Sequence, residues 1–353
     1  MIALSSGEGM HMSNRPLRAA MAACGGIADL TLDAAKRSPD FDLVAIQDPD
    51  PAALARVGER TGIERRHAAF EDLLAADVDF VILNSPNHVH LPQVRLAAVA
   101  GKHCLVQKPM ATTAAEAEEM VAVAESAGVK LGVTMFELSK PVNRQARAMV
   151  EAGWLGEPVL VSAVGAHGIY LRDAPAPADW RRDPSKVGGG AFIQLALHQV
   201  DLAMFLLGVA PVEAAAMGAR GKTVFEDETT LATVRFEGGV LGHFAASYAT
   251  DEWSLAIQGT RGRIRLSGEH VLVRGEETYR GEVFEYDDPG REIAIPVAGL
   301  VAADDRYEIH AAFARWVRDG EPFPAAGERG LLDMKVVDAV YRSVEEGKCV
   351  IVC

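Results

Sequence analysis

The stretch that decides the fold is residues 17–28, LRAAMAACGGIA. Its apolar first half predicts a β-strand, and residues 23–28 match the pattern G-x-G-x-x-[G/A] except that Ala23 stands at the first glycine. In that pattern a pyrophosphate lies against a helix N-terminus, so Gly25 is the position that must lack a side chain. We expect Ala23 to be tolerated there with a negative φ angle. The stretch therefore predicts a strand, a phosphate-binding turn and a helix.

An acidic residue follows at the spacing that a dinucleotide site requires. Asp48 lies 23 residues after Gly25, at the end of the next predicted strand. A carboxylate at this position accepts hydrogen bonds from the adenosine ribose and repels a 2′-phosphate. No Arg or Lys lies between Asp48 and Arg56, so the sequence favours NAD over NADP. A simple turn and a solvated acid at a strand end remain the alternative interpretation.

The first part of the chain alternates short apolar runs with longer helical patterns, which predicts βαβ units and a parallel sheet. The predicted strands are Leu17–Ala22, Phe41–Gln47, Phe80–Leu83, His103–Val106 and Lys130–Thr134. The predicted helices are Pro51–Gly58, Leu91–Ala100 and Thr113–Ala127. We therefore expect residues 17–137 to form a doubly wound Rossmann domain, preceded by a flexible segment at residues 1–16.

Period-two alternation dominates the rest of the chain, as in an antiparallel or mixed sheet with one exposed face. The predicted strands are Val159–Val164, Thr230–Phe236, Gly242–Tyr248, Ser254–Gln258 and Arg263–Leu266. The predicted helices are Pro141–Ala152, Ala191–Leu207, Tyr307–Val317 and Leu331–Glu346. The fold class is therefore α/β, and residues 138–353 are expected to form a second α/β domain around a large open sheet.

Composition and charge exclude several classes of protein. The 353 residues carry a net charge of −14, which would repel a phosphate backbone, so nucleic acid is not an expected partner. The sequence contains no run of about eighteen apolar residues and no secretory leader pattern, so we expect a cytoplasmic protein with no membrane partner. The four cysteines lack the spacing of zinc ligands, and no metal site is expected.

Several further motifs follow one another along the chain. They are Asn84-Ser85-Pro86-Asn87-His88-Val89-His90, Gln107-Lys108-Pro109, Trp180-Arg181, Gly188-Gly189-Gly190, and a helix that carries His198 and Asp201. In this order they resemble the Gfo/Idh/MocA family, the glucose-fructose oxidoreductase and inositol dehydrogenase group, from about Leu17 to the end of the chain. The resemblance implies that residues 138–353 bind the substrate and form a homodimer or homotetramer through the exposed sheet face.

The resemblance also implies a site, residue by residue. The implied cofactor is NAD, and the implied substrate is a polyol or a sugar. The residues assigned to the cofactor are Gly25, Gly26 and Ile27 at the pyrophosphate, Asp48 at the ribose, Ser85, Pro86, Asn87 and His90 on the nicotinamide side, and Gln107, Lys108 and Arg181. The residues assigned to the substrate are Lys108, Gln194, His198 and Tyr170, of which the first three are the candidate catalytic residues.

These side chains suit the oxidation of an alcohol, which needs a base for the hydroxyl proton while hydride leaves the carbon. His198, with an ordinary pKa of about 6.5, is the predicted proton carrier, on a helix that opens beside a flexible triple glycine. Lys108 is the predicted cation that stabilises the developing alkoxide. Two departures from the family pattern each remove a negative charge, because Gln107 replaces the usual Glu and Gln194 replaces the usual acid. A greater reliance on Lys108, a lower His198 pKa, a different substrate and weaker turnover all remain open.

Two other functions remain open from the sequence. One is an NAD-dependent glycoside-cleaving enzyme that works by transient oxidation and elimination, for which Tyr170, Asp173 or Asp183 would supply an extra acid or base. The other is a non-catalytic dinucleotide-binding sensor. The presence of both Lys108 and His198 argues against a sensor.

Overall fold

The computed structural model describes residues 15–168, 180–223, 225, 227–267, 270–274, 293–296 and 307–353. Two sheets organise this part of the chain. The predicted flexible segment at residues 1–16 lies outside the described residues except for its last two positions. Tyr170 and Asp173 also lie outside them.

Parallel strands form the first sheet. They are β1 (Leu17–Ala22), β2 (Phe41–Gln47), β3 (Arg65–His67), β4 (Phe80–Leu83), β5 (His103–Val106) and β6 (Leu131–Val133). Their order in the sheet is β3-β2-β1-β4-β5-β6. Strands β2 and β3 are added on one side of β1 and strands β4 to β6 on the other, so the topological switch point lies between β1 and β4. Such a switch point opens a crevice at the carboxyl ends of the strands, where doubly wound sheets bind their ligands. The predicted Rossmann sheet is confirmed, and β3 is an addition to it.

Helices connect these strands, and polar caps set their ends. They are α1 (Ala28–Arg37), α2 (Pro51–Thr61), α3 (Phe70–Leu74), α4 (His90–Val99) and α5 (Ala114–Ala127). The side chains of Asp50 and Thr113 accept hydrogen bonds from first-turn N–H groups of α2 and α5. Both helices end at a glycine with a positive φ angle, Gly62 and Gly128. The caps therefore fix where the loop before each helix ends and where the loop after it begins.

Nine strands of the described chain form the second sheet. They are β7 (Pro158–Ala166), β8 (Pro211–Ala219), β9 (Thr229–Phe236), β10 (Leu241–Ser247), β11 (Glu252–Gly259), β12 (Arg263–Ser267), β13 (His270–Arg274), β14 (Ile293–Pro296) and β15 (Val350–Ile351). Their order is β14-β13-β12-β11-β7-β10-β9-β8-β15, and only the β7 and β10 pair is parallel among them. The predicted large open mixed sheet is confirmed. The sequence does not predict β8, β13, β14 or β15.

Helices cover one face of this second sheet. The helices in the rest of the described chain are α6 (Pro141–Glu151), α7 (Pro184–Val187), α8 (Leu197–Leu207), α9 (Glu308–Asp319) and α10 (Gly327–Glu346). Helices α6, α8 and α10 lie against the sheet. On the opposite face Met217, Leu231 and Leu241 are 79%, 58% and 36% exposed. The sheet therefore has one covered face and one open face.

Helix α9 crosses back to the first sheet. Phe313 meets Phe80 edge to face with ring centroids 5.4 Å apart, and His310 Nε2 lies 3.3 Å from Thr31 Oγ1. The helix thus belongs by contact to the first sheet, although it falls within residues 138–353. A domain boundary after residue 137 stays a prediction.

Two local features differ from the sequence prediction for physical reasons. Strand β8 is rich in alanine, which is depleted in strands, and it becomes a strand because it pairs with β9 along its length. The helix predicted at 191–207 begins with a π-helical turn, Phe192–Ala196, before α8. Turns of this kind are rare and are frequent at functional sites.

The helical stretch Pro184–Leu207 is long and apolar enough to cross a membrane by length and composition alone. However, 78% of that window is buried inside the structure. Helix α8 lies between the second sheet and helices α6 and α10. Its apolar character is therefore that of a core helix.

Candidate active site

The glycine turn lies at the carboxyl end of β1, beside the switch point. Gly25 and Gly26 are exposed, and a Cβ atom built on either would meet no atom of the described residues within 4 Å. Ile27 precedes α1, and its apolar side chain makes no capping hydrogen bond to the first N–H groups of this helix. The turn therefore offers backbone N–H groups and open space, which fits the pyrophosphate of a dinucleotide.

Ala23 has a φ angle of +69°, so the expectation of a negative φ is wrong. Its N–H donates to the Gln47 carbonyl at 2.8 Å, and the N–H of Cys24 donates to Asp48 Oδ2 at 2.7 Å. These two bonds hold the turn in the left-handed conformation that a glycine adopts without strain. The alanine is therefore strained, while the shape of the turn is kept.

We expect Ala23→Gly to stabilise the folded protein by about 0.5–1 kcal/mol. A left-handed alanine costs about 1–2 kcal/mol, and the greater freedom of glycine in the unfolded chain offsets part of that gain. Urea unfolding of both proteins measures the difference. Ala20→Gly, in buried β1, is the matched control and should destabilise. An unchanged unfolding midpoint for Ala23→Gly would contradict the assignment of strain.

Asp48 closes the same turn from the end of β2. Its Oδ2 accepts from the N–H of Cys24 and its Oδ1 accepts from the N–H of Asp50 at 2.8 Å. Each carboxylate oxygen keeps a lone pair for a further donor such as a ribose hydroxyl. Arg56 on α2 donates from Nη2 to the Cys24 carbonyl at 2.7 Å, so a guanidinium lies beside the turn. The spacing along the sequence does not reveal this cation.

The loop after β4 is built around His90, whose side chain is fully buried. Its Nε2 lies 2.8 Å from the Ser85 carbonyl oxygen and its Nδ1 lies 3.1 Å from the Met110 carbonyl oxygen. Burial lowers the pKa of His90 to about 4, so the imidazole is neutral at neutral pH and donates to only one carbonyl at a time. His90 thus ties this loop to the loop after β5 and presents no exposed side chain.

Other residues assigned to the nicotinamide side also hold this loop in place. Asn87 is 3% exposed, and its Nδ2 donates to the Val187 carbonyl at 2.8 Å, which joins the loop to α7. Ser85 Oγ donates to Gln93 Oε1 at 2.5 Å. Pro86 lies between them and is half-buried. The loop is therefore anchored to α4 on one side and to α7 on the other.

Lys108 follows β5 and reaches the helix of the second domain. Its Nζ donates to the backbone carbonyl of Gln194 at 2.8 Å. The peptide bond between Lys108 and Pro109 is cis. Gln107 Oε1 accepts from Thr134 Oγ1 at 2.7 Å and from the Lys108 N–H at 3.1 Å. The neutral amide of Gln107 therefore takes part in positioning the lysine backbone.

Burial, together with the charge of Arg181, lowers the pKa of the Lys108 amine to about 7. The Arg181 guanidinium itself lies over the Trp180 ring, 4.8 Å from its centroid. A lysine with this pKa exists as amine and ammonium in comparable amounts at neutral pH. Lys108 can therefore accept a proton as well as stabilise an alkoxide, which is more than its predicted role as a fixed cation.

The triple glycine lies directly before the helix that carries Gln194 and His198, the π turn Phe192–Ala196 continued by α8, which we call the site helix. These glycines are closely packed, so the expectation of a flexible segment is wrong. A Cβ atom at Gly188 would lie 2.2 Å from the Thr112 carbonyl oxygen. One at Gly189 would lie 2.2 Å from Tyr341 Oη. Both glycines also have positive φ angles, 88° and 151°. They allow the loop to pass between the first domain and α10.

Asp227 and Tyr341 anchor the start of the site helix. Asp227 Oδ2 accepts from Tyr341 Oη at 2.7 Å and from the N–H of Phe192 at 2.9 Å. The Asp227 carbonyl accepts from the N–H of Ala191 at 2.7 Å. In the π turn that follows, the N–H of Leu197 bonds the Phe192 carbonyl, five residues earlier. Sequence reasoning misses both anchors because each is distant in the chain from the helix it holds.

Gln194 and His198 present polar atoms that lack hydrogen-bond partners among the described residues. These atoms are Gln194 Nε2 and His198 Nδ1, and both are buried. A buried polar group without a partner is destabilising by about 1–3 kcal/mol, so both atoms are suited to a ligand that carries hydroxyl groups. Burial, then the charges of Lys108 and Lys140, lowers the pKa of His198 well below its ordinary value. Lys108, rather than His198, is therefore the group that titrates near neutrality.

Asp201, one turn after His198 on the helix, is a structural residue. It is fully buried and forms an ion pair with Arg329 of α10. Among the described residues, no group of three or more His, Cys, Asp or Glu side chains is arranged to hold a metal ion.

Asp183 is the one candidate for the elimination route that the described residues include. It caps α7 by accepting from the N–H of Ser185 at 3.1 Å, and Lys186 Nζ lies 3.1 Å from its carboxylate. Hydrogen bonds from Ser185 and Lys186 lower the pKa of this carboxyl, so it is ionised at neutral pH and has no proton to donate as a general acid. Asp183 therefore gives no support to glycoside elimination.

A Rossmann switch point that faces a lysine able to move a proton is the arrangement of a dinucleotide-dependent oxidoreductase. Residues 17–135 match the NAD-binding Rossmann fold of the Gfo/Idh/MocA oxidoreductase family. Residues 147–352 match the C-terminal alpha/beta domain of the same family. The chain belongs to this family, and the resemblance seen in the motifs is confirmed.

Relatives and solved structures cover nearly the whole chain. A 1,5-anhydro-D-fructose reductase from Ensifer adhaerens is 29% identical over 321 residues, which are 88% of this chain and 91% of the relative. A myo-inositol 2-dehydrogenase from Thermotoga maritima is 26% identical over 352 residues, 95% of this chain and 98% of the relative. The structure of an aldose-aldose oxidoreductase from Caulobacter crescentus, complexed with glycerol, is similar in fold with a TM-score of 0.85 and 23% identity, covering 96% of this chain and 100% of that one.

Proposed function

We propose that the protein is an NAD-dependent oxidoreductase that transfers hydride between nicotinamide and a secondary hydroxyl of a sugar, a sugar derivative or a cyclitol. The observation that carries the proposal is the contact of Lys108 Nζ with the Gln194 carbonyl, next to two buried polar atoms that find no partner among the described residues. This contact joins the loop at the carboxyl end of β5 in the Rossmann sheet to the site helix. An amine, an amide and an imidazole that converge on one site suit a ligand rich in hydroxyl groups.

The side chains divide the work of alcohol oxidation among them. When bound, NAD supplies the acceptor for the hydride. The neutral Lys108 amine accepts the proton of the reacting hydroxyl, and the ammonium that forms returns it to the carbonyl oxygen in the reverse direction. His198 hydrogen-bonds the same hydroxyl through Nδ1, and Gln194 Nε2 donates to a neighbouring hydroxyl oxygen. Tyr170 stays a predicted substrate contact.

The test is a panel of cyclitols, aldoses and anhydro sugars, incubated with purified protein and NAD or NADP while reduced cofactor is followed by its absorbance. The names of the relatives make two compounds the first to try. They are myo-inositol with NAD, followed by the appearance of NADH, and 1,5-anhydro-D-fructose with NADH or NADPH, followed by loss of the reduced cofactor, because the keto group of this sugar accepts hydride. Accumulation of NADH with one class of compound supports the proposal. Glycoside cleavage that needs NAD without net NADH would favour the elimination enzyme, and tight NAD binding without turnover would favour the sensor.

Preference for NAD over NADP is proposed from Asp48, whose charge would repel a 2′-phosphate. We expect Asp48→Ser to raise the ratio of NADP to NAD use by about 10- to 100-fold, because this repulsion is lost and Arg56 lies beside the turn. The ratio of kcat/KM for the two cofactors measures it. Asp42→Ser, exposed near the other end of β2, is the matched control. An unchanged ratio would show that Asp48 does not select the cofactor.

We also propose a homodimer or homotetramer that assembles through the open face of the second sheet and acts in the cytoplasm. The exposed apolar side chains of Met217, Leu231 and Leu241 on that face support an interface. Sedimentation velocity measures the assembly state. A monomer at micromolar concentration would contradict the proposed assembly.

A further inference from the structure

Trp253 is an aromatic residue beside His198 that the proposed proton chemistry does not use. The indole and the imidazole meet edge to face, with ring centroids 5.7 Å apart and planes inclined by 63°. The indole is also 47% exposed. A large apolar side chain that contacts a site residue and yet keeps half of its surface open is typical of the wall of a ligand cleft.

The strand register places Trp253 on the face of the second sheet that the helices cover. Trp253 pairs with Gly165 of β7, and Leu255 and Ile257 follow it on the same face of β11. Leu255 and Ile257 are 2% and 0% exposed because the helix layer covers them. Trp253 points the same way but is half open, so β11 emerges from under the helix layer at this residue.

Gly165, opposite Trp253 in the sheet, lets the site helix approach β7 closely. A Cβ atom at Gly165 would lie 3.0 Å from the Leu195 carbonyl oxygen, so the helix rests directly on β7 next to Trp253. Leu195 follows Gln194 in the chain. The wall formed by Trp253 therefore borders the same space as the buried atoms Gln194 Nε2 and His198 Nδ1 that lack partners among the described residues.

We propose that Trp253 determines specificity by packing against the apolar C–H face of a ring-shaped polyol, either a pyranose or a cyclitol. This inference rests on the proposed function, because the ring is held at the site of Lys108 and His198. The C–H groups on one face of such a ring form a flat apolar patch, whose burial against an indole is favourable. The ring hydroxyls point outward from the edge of this patch, toward Gln194 and His198. An open-chain polyol has no flat face and gains little from the indole.

Calorimetric titration of the NADH-saturated protein tests this without turnover, because an alcohol cannot pass hydride to a reduced cofactor. The ring ligands are myo-inositol and methyl β-D-xylopyranoside, which have no carbonyl group to accept hydride from NADH, and xylitol is the open-chain match. We expect Trp253→Ala to raise the Kd of the ring ligands about 10-fold, and Trp253→Phe to raise it less. The Kd of xylitol should stay unchanged. Trp154→Phe is the matched control, since this indole is 52% exposed beyond the opposite end of β7 and should change neither Kd.

Steady-state kinetics provides the second measurement, with a rise in KM for ring substrates and little change in kcat for Trp253→Phe. No change in ring binding by Trp253→Ala would overturn the inference. Equal weakening of ring and open-chain ligands would also overturn it, because Trp253 would then act only by supporting His198. Ring binding that depends on Trp253 in a protein that oxidises none of the compounds would refute the proposed function but uphold the ring-binding role. Thermal unfolding of each variant, with Trp253→Phe as the milder change, separates these outcomes from misfolding.

Discussion

Replacing Lys108 by Met is expected to lower kcat for alcohol oxidation by about 10³-fold. Methionine keeps most of the volume of the side chain but removes the amine that accepts the hydroxyl proton. It also removes the contact with the Gln194 carbonyl that joins the two domains at the site. The Kd for NADH should change far less than kcat even though Lys108 is also assigned to the cofactor, because the glycine turn and Asp48 lie at other strands of the sheet and are kept. The measurement is kcat with the best substrate of the panel, together with the Kd for NADH by fluorescence.

The pH dependence of the native enzyme gives this prediction a sharper form. Burial and the Arg181 charge place the pKa of Lys108 at about 7, and the neutral amine is the form that accepts a proton. The oxidative kcat/KM should therefore rise with pH through about 7, and the reductive kcat/KM should fall through the same range. Arg181→Gln should move both midpoints upward, because it removes a positive charge that favours the neutral amine. In Lys108→Met, the change of kcat/KM with pH near 7 should be absent.

Lys348→Met is the matched control, because this lysine is well exposed and pairs with Glu346 at the other end of the chain. It should leave both kcat and the pH profile as they are in the native enzyme. Retention of more than a tenth of the native kcat by Lys108→Met would show that the proton leaves by another route. The proposed mechanism would then be wrong even if the protein still oxidised a sugar.

The main features of the fold follow from local sequence patterns, and the reasons are physical. Apolar runs such as Phe80–Leu83 predict buried parallel strands because both faces of a doubly wound sheet are covered. The alanine-rich strand Pro211–Ala219 escapes prediction because only its pairing with β9 makes it a strand. The conformation of Ala23 could not be predicted from the local sequence either. Two long-range hydrogen bonds impose a left-handed φ angle on a residue that seldom adopts one.

Some residues of the site can be predicted from sequence motifs, and others are recognised only once the fold brings them together. Lys108 and His198 are found from their motifs, and the structure places Lys108 against the helix that carries His198. Trp253, Asp227 and Tyr341 have no motif, since each acts through a contact that crosses at least 30 residues of chain. The low pKa of His198 is likewise a consequence of burial and two lysine charges, which no spacing along the sequence encodes.

His198→Phe is the second substitution with a large expected effect, a fall in kcat of about 10²-fold. The buried Nδ1 atom of His198 has no partner in the described chain, so a substrate hydroxyl is its natural partner. Phenylalanine keeps a ring beside Trp253 but has no atom that can hydrogen-bond the hydroxyl that Lys108 deprotonates. KM should rise less than kcat falls, because the lost hydrogen bond matters most as charge develops on the reacting oxygen.

The pH profile of this variant separates the two residues. Because burial and the nearby lysine charges hold the pKa of His198 well below its ordinary value, His198 stays neutral across the range in which Lys108 titrates. The rise of oxidative kcat/KM near pH 7 should therefore persist in His198→Phe, with its midpoint little changed and its height reduced. His243→Phe, on the open face of the second sheet, is the control that should alter neither. Loss of this rise in His198→Phe would reverse the assignment, because the imidazole would then be the proton acceptor and Lys108 the cation beside it.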